Sequence, residues 1–140
     1  FDGGDTSWNV EGELVCPDNL IGGVDVYQVN HHGLDRSNNP VFVHALEPTI
    51  SVMCNGRTKG CMPESFASLS SSPTIKTMYQ LHRNERKDSE NNTDSKFIAN
   101  LHGKGCQGNY IKLSASPDGT SYTVTIPSNG HSQTYKTKGQ

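Results

Sequence analysis

The side chains best suited to chemistry fall in two short runs, Gly3-Gly4-Asp5 and Asn30-His31-His32-Gly33. In the first, the glycines allow a tight turn that projects the Asp5 carboxylate from the end of an extended segment. In the second, the pair His31 and His32 follows directly on a strand-like pattern. Carboxylate and imidazole are donors that zinc, iron and manganese accept, so Asp5, His31 and His32 are the candidate metal ligands. Each run also has an ordinary reading. An Asp after glycines is commonly a turn residue, and a loop histidine is commonly solvated or hydrogen-bonded. A catalytic zinc normally takes about three protein ligands. Read from these residues alone, the chain offers part of a site.

The elements that must position these residues are legible from periodicity. Residues 24–29, Val-Asp-Val-Tyr-Gln-Val after Gly22-Gly23, alternate apolar and polar and predict a strand that ends at Asn30. Pro40, after Asn38 or Asn39 as cap, opens a short helix through residue 46 that stops before Pro48. Residues 50–53 read as a strand, 63–69 as a helix starting at Pro63, and 74–81 as another helix. Residues 83–95 contain no apolar side chain and read as a solvated loop. Beyond it, residues 110–114 and 122–126 flank Pro117-Asp118-Gly119, a hairpin turn, and 132–136 offer a third strand. Strand and helix alternate over residues 1–101, followed by an antiparallel β-meander over 102–140. The class is α/β, and loops at strand ends are where such folds hold reactive groups.

Composition narrows the possibilities. With 140 residues the chain fits one domain. Hydrophobic residues and glycine together make up about 41%, below the ~45–50% usual for soluble domains, which predicts a small core and much loop. The net charge is −2 with both signs interspersed, so a nucleic-acid backbone is not an expected partner. No apolar run approaches the roughly 20 residues of a membrane span. Four cysteines are present, none in a C-x₂-C pair, so a structural zinc site is not expected. Cys54 and Cys61 bracket a Gly-containing loop and could close it as a disulfide, or stay free thiols. The even count and the sequon Asn91-Asn92-Thr93 point weakly to an exported protein. The opening Phe1-Asp2-Gly3-Gly4-Asp5 looks like a strand end running into a turn, which suggests sequence upstream of Phe1.

The order of motifs carries a resemblance. Gly4-Asp5-Thr6-Ser7-Trp8-Asn9, Leu14-Val15-Cys16-Pro17-Asp18-Asn19-Leu20-Ile21-Gly22, Val24-Asp25-Val26-Tyr27 and His31-His32-Gly33-Leu34 come first. Val43-His44-Ala45-Leu46-Glu47-Pro48, Asn55-Gly56 with Lys59-Gly60, Ser72-Pro73, Tyr79-Gln80-Leu81-His82, Phe97-Ile98-Ala99-Asn100-Leu101 and the meander follow. Over essentially its whole length the chain resembles the distal half of exported bacterial metallo-β-lactamase-fold hydrolases. The resemblance implies one half of an αββα sandwich that carries two metals at one edge, and a periplasmic or secreted location. It aligns Asp5 with the bridging carboxylate and His31 with the final histidine, His32 being the alternative. The family's His-x-His-x-Asp-His motif, which lies in the proximal half, occurs nowhere in these 140 residues.

In such an enzyme two cations lower the pKa of a bound water, and the resulting hydroxide attacks an ester, amide or phosphoester bond. Asp5 and His31 are then the catalytic residues this chain contributes. Arg57 and Lys59 could engage an anionic group of a small-molecule substrate or be simple solvated charge. His82 could reach the pocket rim or serve packing. Asp25, too far along its strand, and His44, on a helix, read as structural. Three functional expectations follow. The leading one is a hydrolase portion that needs the proximal half of the same domain as its partner. The others are a non-catalytic binding domain of the same fold, and a self-associating protein whose site is shared between chains.

Overall fold

The computed structural model describes residues 1–87, 91–102 and 107–139. Cys106 and residues 88–90 of the polar loop lie outside them. In chain order the elements are α1 (Trp8–Val15), β1 (Val26–Gln28), α2 (Pro40–Leu46), β2 (Ile50–Met53), α3 (Pro63–Ser71), β3 (Thr77–His82), β4 (Ile98–Asn100), β5 (Lys112–Ala115), β6 (Ser121–Ile126) and β7 (His131–Lys136). Strands β1 to β4 form a parallel sheet in sequence order, and β5 to β7 form a separate antiparallel sheet. The class is mixed α/β, as the sequence predicts.

Period-two alternation gives the parallel sheet two buried faces. Tyr27, Met53 and Met78 face one way, into a core shared with Val15 of α1, Phe42, Val43 and Leu46 of α2 and Leu69 of α3. Val26, Ile50, Val52, Tyr79 and Leu81 face the other way, against Tyr122, Val124, Ile126 and Tyr135 of the meander. The layers are therefore helices, parallel sheet, antiparallel sheet. The two sheets are joined by more than apolar contact. The Tyr79 and Tyr135 hydroxyls lie 2.9 Å apart, Tyr135 donates to Thr77 Oγ1 at 2.9 Å, and the Tyr79 hydroxyl sits 3.0 Å from His131 Nε2. A chain running from His131 Nε2–H through Tyr79 and Tyr135 to Thr77 gives each phenol one donated and one accepted bond.

Two local expectations are corrected. Residues 74–81, read as a helix, hold strand β3: Met78 packs towards the helices and Tyr79 towards the meander, so both faces are apolar and the alternation is hidden. The flanks of the loop read as solvated are tied down. Asn84 is buried, its N–H donating to Asn92 Oδ1 at 2.7 Å, while Asn92 Nδ2 donates to the Asn84 carbonyl and Gln80 Oε1 accepts from Thr93 N–H. An apolar count cannot register a polar loop whose order comes from side-chain amides.

Other expectations stand. Asn39 caps α2, its Oδ1 accepting from Val41 N–H at 2.9 Å, with Pro40 at the first helical position. Asp25 is structural, its carboxylate accepting the Lys138 N–H and its carbonyl those of Thr49 and Ile50. His44 shares a hydrogen bond with Ser71 Oγ on α3 at 3.1 Å. Among the described residues no helix is long and apolar enough to cross a membrane.

Candidate functional site

In a parallel sheet every strand delivers its C-terminal end to the same edge. Here that edge gathers the turn after β1, which carries His31 and His32, the loop after β2, which carries Arg57 and Lys59, and His82 at the end of β3. Asp5 joins them because residues 1–2 run parallel beside β1. The Asp2–Gln28 bridge and the Gln28 N–H bond to the Phe1 carbonyl fix that alignment. The turn at Gly4, in the left-handed region with φ +58°, then brings Asp5 over the β1 edge.

The His31 turn is strained. His31 (φ 52°, ψ 40°) and His32 (φ 58°, ψ 14°) are both left-handed, a conformation costing a non-glycine residue roughly 1–2 kcal/mol. Surrounding bonds hold it there. His31 N–H donates to the Gly4 carbonyl at 2.9 Å, Cys61 N–H to that of His32 at 3.1 Å, and Met62 N–H to that of Gly33 at 2.8 Å. Gly60 makes this docking possible, since a Cβ there would lie 1.8 Å from the His32 carbonyl oxygen. Strain of this kind, over-determined by its surroundings, is found at binding and catalytic positions.

Within the turn the two imidazoles differ. His32 Nδ1 faces the Cys54 carbonyl at 3.0 Å, so its ring is engaged with backbone. His31 presents Nε2 to Asp5 Oδ2 at 3.9 Å, and its Nδ1 lies 3.4 Å from Ser37 Oγ. The 3.9 Å gap is too wide for a hydrogen bond. Donors held about 2.1 Å from a zinc ion in a tetrahedral array lie about 3.4 Å apart, so the pair is within about half an ångström of ligand spacing. Asp5 is open to solvent at 68% side-chain exposure and His31 is half-buried at 22%. Donor type and spacing fit two ligands of a metal ion. They do not complete a site: among the described residues no group of three His, Cys, Asp or Glu side chains gathers to hold one.

Beneath this pair lies a buried polar cluster that the sequence reading did not single out. Glu11 of α1 is fully buried. Its Oε1 accepts from Asn30 Nδ2 at 2.7 Å and Asn38 N–H at 2.8 Å, and its Oε2 accepts from Asn39 N–H at 2.7 Å. Asn30 Oδ1 in turn accepts from Gly3 N–H at 3.2 Å, and the Tyr27 hydroxyl donates to Asn38 Oδ1 at 2.7 Å. Three donors, two of them backbone groups at the entry to α2, offset much of the cost of burying a carboxylate. The available signal was Ser7 as a helix cap with Val10, Leu14 and Val15 at helical spacing behind it.

At the rim, Arg57 is not a free cation. Its Nε donates to Glu85 Oε2 at 3.0 Å and Nη2 reaches the same oxygen. The pairing holds the Glu85 carboxyl below its ordinary range. Lys59 is exposed on the same loop. His82 is held through its backbone, its carbonyl accepting from Asn55 Nδ2 at 2.8 Å. The disulfide considered for Cys54 and Cys61 is not formed: both are free thiols. Cys61 has a left-handed backbone (φ 48°) and its Sγ is directed to the Asn91 carbonyl at 3.3 Å and to Gln80 Nε2 at 3.4 Å. Burial pushes its thiol up to about 12. Cys16 is a free thiol at the surface.

No protein-family model matches the chain, and comparison with characterised proteins and with solved structures finds no match to either.

Proposed function

We propose that the chain carries one edge of a metal-dependent hydrolase of the metallo-β-lactamase kind, with Asp5 and His31 as its contribution to the metal ligands. Zinc is the expected ion, and iron or manganese suits the same donor pair. The observation that supports this reading is the approach of Asp5 Oδ2 to His31 Nε2 at 3.9 Å, on the C-terminal edge of a parallel sheet and on a strained turn. Because two donors among the described residues fall short of a catalytic set, the reading calls for further ligands from beyond them. They would be supplied by the proximal half of such a domain.

When bound, the metal supplies an activated water and polarises the scissile group. The chain's own residues orient and bind. Asp5 presents its carboxylate from a glycine turn, and the His31 ring is steadied from its Nδ1 side by Ser37. Lys59, with Arg57 when released from Glu85, offers positive charge to an anionic group of a small-molecule ester, amide or phosphoester. An exported location accords with the resemblance.

Equilibrium dialysis against Zn²⁺ tests the proposal. A single weak site is expected, its midpoint raised about tenfold or more in Asp5→Ala and equally in His31→Ala. Binding with an unchanged midpoint in both variants would reject it. Tight binding lost in both, together with elution as a dimer, would favour a site shared between copies. A monomer whose Zn²⁺ uptake neither variant changes would favour a binding domain without catalysis.

A further inference from the structure

The cluster around Glu11 joins three segments that sequence keeps apart, and we infer that Glu11 is the positioning residue that holds the Asp5 and His31 turns in register for metal binding. This rests on the metal reading above and adds a role for a residue that touches neither the ion nor the substrate.

The hydrogen bonds run outward from the Glu11 carboxylate to both turns. Glu11 lies one helical turn into α1, its own N–H bonded to the Ser7 carbonyl at 2.9 Å. It grips Asn30, the residue immediately before His31, through Asn30 Nδ2. The same Asn30 side chain accepts from Gly3 N–H, two residues before Asp5. One amide therefore spans the two ligand turns, and an asparagine amide set by a buried carboxylate has its flip state fixed: nitrogen to Glu11, oxygen to Gly3. The other Glu11 bonds fasten Asn38 and Asn39, and Asn38 Nδ2 returns to the Asn30 carbonyl at 3.1 Å. Ser37, whose Oγ donates to the Thr6 carbonyl at 2.6 Å and faces His31 Nδ1, is held in the same stretch. His31 N–H to the Gly4 carbonyl closes the loop between the two turns. Space beside Gly3 is fully used, since a Cβ there would meet Asn30 Oδ1 at 2.7 Å. The arrangement resembles the outer-shell carboxylates that fix ligand orientation in metal sites, here acting through an asparagine and the backbone.

Glu11→Gln keeps the shape and puts an N–H₂ where one of the three donors must be received. Amide hydrogen exchange read residue by residue separates positioning from simple capping. Asn39 N–H, a direct partner of Glu11, exchanges faster on either view. Positioning requires that Gly3 and His31 N–H, which Glu11 does not touch, also exchange about tenfold faster or more, while β2 and β3 amides stay as in the wild type. It further requires the Zn²⁺ midpoint in dialysis to rise about tenfold in Glu11→Gln, and this added loss to vanish in the Asp5→Ala background. Because Gln can keep its oxygen on Asn30 and Asn38, Glu11→Ala, which removes all three acceptor contacts, decides the point: if Asn39 accelerates there while Gly3 and His31 do not, Glu11 only caps α2 and the inference is wrong. Accelerated exchange with an unchanged Zn²⁺ midpoint removes its role towards the metal. A wild-type chain that binds no Zn²⁺ overturns the metal reading itself, and with it that role. The exchange data then still decide whether Glu11 orders the two turns. Should Glu11→Gln unfold, Asn30→Ser leaves Glu11 its bonds to Asn38 and Asn39 and reports on the same amides.

Discussion

Replacing Gly60 with alanine is expected to destabilise the fold through the His32 turn, and the structure lets the cost be divided. Gly60 has φ +77°, where an alanine loses roughly 1–2 kcal/mol. Its Cβ would also stand 1.8 Å from the His32 carbonyl oxygen and 2.8 Å from the carbonyl carbon, backbone atoms that cannot turn aside. Relief requires the loop to back away, which breaks Cys61 N–H to His32 and strains Met62 N–H to Gly33, each about 1 kcal/mol. The total is about 3–4 kcal/mol, large for a domain whose whole stability is ordinarily about 5–15 kcal/mol. Two controls isolate the contributions. Gly119→Ala has a similar φ of +71° with nothing within 4 Å, so it should cost only about 1–2 kcal/mol. Gly56→Ala meets Lys59 Cβ at 3.5 Å without a left-handed φ, and should stay within about 0.5 kcal/mol. Urea midpoints at constant m-value give the three figures. If Gly60→Ala costs no more than Gly119→Ala, the close approach of this loop to His32 is refuted, and so is the explanation of how the strained turn is held.

Three further outcomes follow from the same packing. In a Cys16→Ser, Cys54→Ser, Cys106→Ser background, Cys61 should resist a thiol reagent at mildly alkaline pH far longer than Cys16 does in a Cys54→Ser, Cys61→Ser, Cys106→Ser background, because its thiol is buried and pushed up to about 12; equal rates would contradict the placement of Cys61. His131 is held below the ordinary histidine value by burial and then by Lys96, so the folded state prefers its neutral form. That contribution is complete above the unfolded value of about 6.5 and is lost as pH falls through the lower folded value, so a wild-type stability profile should decline there and His131→Gln should flatten part of the decline. Arg57→Ala should leave the urea midpoint unchanged, since both partners of its ion pair are solvent-accessible and Glu85 N–H still bonds the Arg57 carbonyl; a clear drop would show that the ion pair holds the loop.

Much of the architecture was legible because its signals are local. The Asn39-Pro40 start of α2, the Pro63 start of α3, the alternation around Tyr27 and the Pro117-Asp118-Gly119 turn each act over a few residues. Strand β3 was misread because a parallel strand buried on both faces loses its period-two pattern. Helix α1 was missed because Gly12 lies within it and because its best-buried side chain, Glu11, is charged. The same is true of the candidate site. Asp5 and His31 could be picked by type and by the turns around them, and the choice of His31 over His32 came only from the family resemblance. What the sequence could not reveal is which ring nitrogen faces Asp5, or that the carboxylate of Glu11 lies beneath both turns. Those relations depend on partners 19 to 28 residues apart. Nor could it show that Arg57 is already engaged by Glu85, 28 residues away.

The most direct test of the central claim is a Zn²⁺ titration that follows the imidazole nitrogens of His31 by NMR, in the wild type and in Asp5→Ala. Nε2 of His31 is expected to be the nitrogen that responds, with no binding at His32 and a midpoint raised at least about tenfold by the loss of Asp5. A His31 ring that ignores Zn²⁺, or that responds identically without Asp5, would contradict the account.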